Sequence, residues 1–109
     1  MKPPRIVLRQ RARRDIQDAV RHYIAEQAPA AAEGFVDSLE RALAHITKHP
    51  DSGSPRCAHL LEIPELRVWP VAKYPFLVFY LPHKDRIDIW RVLHAQRDIP
   101  AWMRNTETT

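Results

Sequence analysis

A chain of 109 residues with 45% apolar and 28% charged side chains has the composition of one folded domain rather than of a disordered segment. A single cysteine, Cys57, and two glycines exclude an internal disulfide, a zinc-type Cys/His set and a glycine-rich phosphate loop. The net charge of +4 is unevenly spread: residues 1–14 carry six bases (Lys2, Arg5, Arg9, Arg11, Arg13, Arg14) and no acid, whereas residues 15–40 carry six acids against Arg21 alone.

That pattern fits a solvated charged surface, or a contact for nucleic acid or an acidic protein. The longest apolar run, Phe76 to Leu81, has six residues, far short of the roughly 20 that a membrane-spanning helix needs. The basic N-terminus lacks the apolar stretch of a secretory signal. The expectations are therefore a cytoplasmic protein with no membrane association, no metal and no other cofactor.

Arg5 to Arg9 is a short β-compatible run behind Pro3-Pro4 and predicts a first strand. From Ala12 the period changes: Ile16, Ala19, Val20, Tyr23 and Ile24 form one apolar stripe on a helix. Pro29 stops it and can open the next helix, expected over residues 30–48, whose buried face is Ala32, Phe35, Val36, Leu39, Leu43 and Ile46. His45, Lys48 and His49 complement the negative end of that helix, and Pro50 ends it. The two make a helical hairpin.

Residues 51–64 carry turn chemistry and are expected to form a loop. Leu66 to Trp69 and Phe76 to Leu81 follow as strands, the second apolar on both faces like a central strand. Arg86 to His94 returns as the last strand. Strict alternation puts Ile87, Ile89, Arg91 and Leu93 on one face, and Asp88, Trp90, Val92 and His94 on the other. The class is α+β in the order β-α-α-β-β-β, an antiparallel sheet with the N-terminal hairpin on one face. Residues 1–103 are expected to form a single domain and residues 104–109 a flexible tail.

The ordered series resembles the RelE/ParE family of type II toxins. The features that carry the resemblance are Asp15-Ile16 on the first helix; Ala32, Phe35 and Leu39 on the second; His49-Pro50 and Gly53; and Glu65-Leu66-Arg67. They continue with Tyr74-Pro75-Phe76-Leu77-Val78-Phe79-Tyr80, then Ile87 to His94, then Arg97-Asp98-Ile99-Pro100. The Arg-Val-Leu-His ending followed by Arg-Asp looks closer to the ParE side. The resemblance implies a toxin that poisons DNA gyrase and is neutralised by a cognate antitoxin, of the ribbon-helix-helix, ParD-like kind. The alternatives are a RelE-like endonuclease acting on messenger RNA at the ribosome, or a degenerate, non-toxic binding module.

Metal-independent RNA cleavage needs an acid, a base and cations around the phosphate. The candidates for that chemistry are His94, Arg67, Arg91, Arg97 and Tyr80. Regular alternation separates Arg91 from His94 and argues against it, and His94 has a competing reading as a strand-end histidine bonded to Asp98. Arg91, His94, Arg97, Asp98, Trp102 and Met103 are instead the candidates for gripping a target or partner. A groove between hairpin and sheet, lined by Ile16, Val20, Tyr23, Phe35 and Leu39, is the expected seat of the antitoxin.

Overall fold

The computed structural model describes residues 3–99. Its elements run β1 (Arg5–Leu8), α1 (Gln10–Ala25), α2 (Pro29–Lys48), α3 (Arg56–Leu60), β2 (Arg67–Pro70), β3 (Phe76–Pro82) and β4 (Arg86–His94). The prolines punctuate as expected: Pro29 occupies the first turn of α2, where its missing N–H forfeits no helical bond. The three-residue connection before it turns through Gln27, at φ 57°.

The four strands lie in the order β1-β4-β3-β2. The antiparallel meander β2-β3-β4 is present, but the sheet is mixed, because β1 joins β4 in parallel with Ile6 opposite Ile87 and Leu8 opposite Ile89. A parallel partner requires a long crossover, and the helical hairpin with β2 and β3 supplies it.

The hairpin covers one face of the sheet. Between them lies the main core, in which Phe35, Ile46, Val78, Tyr80, Ile87 and Ile89 have essentially no exposure. Burying each large apolar side chain is worth about 1.5–3 kcal/mol, so this layer is the main source of stability. Tyr23, Phe35, Tyr74 and Phe76 form a ring cluster inside it, with centroids 4.9 to 6.4 Å apart. The opposite face carries a smaller core of Cys57, Leu66, Val68, Phe79 and Ile99. Helix α3 packs there, within the segment expected to be loop.

The decisive local feature is a β-bulge. Phe79 pairs with Arg91 but Tyr80 pairs with Ile89, so Trp90 is an extra residue in β4. Alternation is reset at that point. Ile87, Ile89 and Val92 all belong to the hairpin-side core, while Trp90 and Leu93 pack on the other side. The expected faces of β4 therefore hold through Trp90 and fail for Val92 and Leu93, which have exchanged sides.

Candidate functional site

Asp15, Asp18 and His22 stand at i, i+3 and i+7 along α1 and so share one helical face. That face meets the C-terminal end of β4 across a polar cleft of about 430 Å³, whose lining also includes Phe76, Arg91, Val92, Arg97 and Asp98. Arg91 follows the bulge directly and reaches into this cleft. Its guanidinium donates to Asp15 through Nε (2.7 Å to Oδ2) and Nη2 (2.9 Å to Oδ1), a two-pronged charge-assisted pair. Asp15 Oδ2 also accepts the Val92 N–H at 3.0 Å, so one carboxylate fastens α1 to β4 by three bonds. The hydrogen bond to Asp15 holds the Arg91 pKa above its ordinary value, outweighing the opposing effect of burial.

His94 sits at the margin of this cleft, its ring edge-on to Phe76 with centroids 5.2 Å apart. Its Nδ1 accepts the backbone N–H groups of Gln96 (3.1 Å) and Arg97 (3.0 Å), which fixes the neutral ring with its proton on Nε2. Burial, followed by the Arg97 charge, lowers its pKa. Asp98 accepts the His94 N–H at 2.9 Å, and Arg97 Nε stands 3.4 Å from Asp98 Oδ1. The expected separation of Arg91 from His94 on opposite faces is thus corrected by the bulge: both belong to the same end of the molecule, on the side of α1.

Arg67 and Tyr80 are elsewhere and have other duties. They are register partners on β2 and β3, four residues along β3 from the Phe76–His94 pair, or roughly 13 Å at the rise of a strand. Arg67 Nη1 donates to the carbonyls of Asp51 (2.9 Å) and Gly53 (2.7 Å). The Tyr80 hydroxyl donates to the Pro50 carbonyl (2.8 Å) and accepts the Gly53 N–H (3.0 Å). Burial raises the pKa of Tyr80 and keeps it a neutral donor. A Cβ on Gly53 would run into the Tyr80 ring, 2.9 Å from Cε1, so the glycine is needed for this close approach. His45, at the end of α2, stacks on Trp69 with centroids 4.0 Å apart and bonds Ser52 at 3.0 Å, completing the stitching of this loop.

The five candidate nuclease residues therefore fall into two groups: Arg91, His94 and Arg97 at the cleft, Arg67 and Tyr80 at the loop. Trp102 and Met103, and the expected tail, lie outside the described residues. The expected antitoxin groove needs correction as well. Phe35 and Leu39 are buried, and Ile16, Val20 and Tyr23 pack against the same core, so the space between hairpin and sheet is filled. An open apolar groove of about 460 Å³ lies instead on the outer side of the hairpin, lined by Val20, Ile24, Pro29, Ala32, Glu33, Val36 and Asp37. Only Val20 belongs to both sets. Ile24, 57% exposed, is the one exposed large apolar residue among the described residues.

Sequence reasoning missed Asp15, Asp18 and His22 as cleft residues, although their helical spacing was readable. Among the described residues, no helix is long and apolar enough to cross a membrane, and no group of three or more His, Cys, Asp or Glu side chains is placed to hold a metal ion.

A solved structure described as a chromosomal ParDE TA system from P. aeruginosa matches with a TM-score of 0.70 over 85% of this chain and 97% of that one, at 18% identity. No curated protein gives a significant match. The family model described as ParE toxin of type II toxin-antitoxin system, parDE, matches residues 6–99. The chain belongs to the ParE toxin family.

Proposed function

We propose that this toxin arrests growth in the cytoplasm by binding and poisoning DNA gyrase, and that a cognate antitoxin of ribbon-helix-helix type silences it. The observation that carries the reading is the engagement of the candidate catalytic groups. Arg67 and Tyr80 are spent on the backbone of residues 50–53, Arg91 on Asp15, and His94 Nδ1 on two backbone N–H groups. Arg91 and His94 so engaged give a rigid, charged end suited to protein contact, and neither they nor Arg67 and Tyr80 are left as a mobile acid and base beside a phosphate. The target-facing surface is the cleft of Arg91, Arg97 and Asp98 with His94 at its rim.

The antitoxin takes the outer hairpin groove. Its apolar floor of Val20, Ile24, Ala32 and Val36 between Glu33 and Asp37 suits an amphipathic segment with apolar anchors and flanking Lys or Arg.

One observation favours the nuclease reading: the bulge gathers Arg91, His94 and Arg97 at one end. Expressing the chain alone and following DNA, RNA and protein synthesis separates the two. Early arrest of replication with DNA-damage induction is expected; immediate loss of translation with cut transcripts would sink the gyrase reading. Absence of any growth defect would favour a non-toxic module.

A further inference from the structure

The charge asymmetry of the sequence becomes a surface. Residues 5–14 and 83–88 hold seven Lys or Arg against two Asp, whereas the rest of the chain has ten Lys or Arg against eleven Asp or Glu. The whole net charge of +4 therefore resides in two short segments. The sheet places them side by side, since β1 and β4 pair in parallel with Arg5 directly opposite Arg86. Arg9 continues the same row one residue past β1, held by its N–H to the Ile89 carbonyl (3.1 Å). Arg13 is pinned to the end of β1 by its Nε on the Leu8 carbonyl (3.2 Å).

Some of this charge is compensated, but not most of it. Asp88 is 6% exposed and faces three groups: Arg9 Nη2 at 2.8 Å, Arg86 Nε at 3.4 Å and His83 Nε2 at 3.0 Å. One carboxylate thus gathers two guanidiniums whose outer edges stay in solvent, Arg9 being 51% and Arg86 37% exposed. Arg86 also stands 3.9 Å from Asp85 Oδ1, yet Arg5 directly opposite it is a like charge, and like charges facing one another across strands carry a cost. An anion bridging the two would relieve that cost.

We propose that this β1/β4 edge, built from Arg5, Arg9, Arg13 and Arg86 with Lys84 beside them, binds the phosphate backbone of duplex DNA. Its arginines carry fixed charge and forked donors suited to phosphate oxygens. Duplex is favoured over single strands because the latter use exposed aromatic platforms for stacking, and among the described residues no large aromatic side chain is exposed. The surface reads no bases; it supplies affinity without sequence preference. The proposal holds whatever the toxin's protein target is.

The test is fluorescence anisotropy of a labelled duplex titrated with the full chain at two salt concentrations. Four phosphate contacts give a log–log salt slope of about −3.6, or about a 150-fold loss of affinity between roughly 50 and 200 mM salt. Arg5→Gln with Arg86→Gln should halve the slope, reducing that loss to about 12-fold, while Arg21→Gln on the hairpin leaves it unchanged. Should the double variant fold poorly, Arg5→Gln alone, at an exposed edge, must still reduce the slope by about one. No binding at the lower salt, an unchanged slope in Arg5→Gln, or tighter binding of single-stranded RNA than of duplex would each overturn the proposal.

Discussion

Removing the Asp15 carboxylate should be the most damaging polar substitution in the cleft. Asp15→Ala deletes three hydrogen bonds at once, at 2.7, 2.9 and 3.0 Å, and strands the Arg91 guanidinium, whose side chain is only 23% exposed. Breaking a fully buried pair by removing one partner costs about 3–5 kcal/mol. Some solvent reaches this one, so about 2–3 kcal/mol is expected, with the orphaned Val92 N–H included. For a domain of this size that corresponds to a fall in Tm of roughly 10–20 °C. Urea unfolding monitored by tryptophan fluorescence would measure it. Arg91→Met in the Asp15→Ala background should recover about 1–2 kcal/mol, because the stranded charge is gone. A loss below about 0.5 kcal/mol for Asp15→Ala, or full additivity of the two changes, would refute the view that this pair locks α1 to β4.

Tyr80→Phe should cost about 1–2 kcal/mol by leaving the Gly53 N–H and Pro50 carbonyl unpaired, yet leave growth inhibition intact once the protein is folded; loss of toxicity at unchanged stability would restore Tyr80 to a catalytic role. His94 has a pKa lowered by burial and by Arg97, so the unfolded chain takes up its proton first as pH falls. Its contribution to stability is full above the unfolded value of about 6.5 and is lost as pH falls toward the folded value. Unfolding free energies from pH 7.5 to 5 should show that decline in the parent and a flatter profile in His94→Asn; identical profiles would contradict the hydrogen-bond assignment. Ile24→Glu, at a 57% exposed position, should leave the Tm within a few degrees but weaken antitoxin binding at least tenfold by calorimetry; unchanged affinity would place the antitoxin elsewhere.

Element order and type were legible because the signals are local. Pro29 and Pro50 punctuate the two helices, the apolar stripes have helical period, and the Phe76 to Leu81 run has the composition of a central strand. Helix α3 was not legible: five residues, Arg56–Leu60, are too few for a periodic stripe, and the flanking Ser, Gly and Pro residues read as loop. The parallel docking of β1 on β4 depends on a pairing more than 80 residues apart, which no window of sequence contains. The bulge at Trp90 was the costliest omission. Asp88 to Val92 reads as regular alternation, and only the partner strand reveals the extra residue. One slipped residue put Val92 in the core, turned Leu93 to the other side and brought His94 against Phe76, at the same end as Arg91. The expected groove differs from the open one for a related reason: each helix's apolar stripe mostly marks what is buried, and only its margin, at Val20, Ile24, Ala32 and Val36, lines the outer groove.

The most direct test of the central claim is gyrase activity with purified components. Added to DNA gyrase, relaxed plasmid and ATP, the free toxin should inhibit supercoiling and accumulate cleaved DNA, and the antitoxin should reverse both effects. Unimpaired supercoiling at concentrations that arrest growth, together with cleavage of messenger RNA on isolated ribosomes, would contradict it.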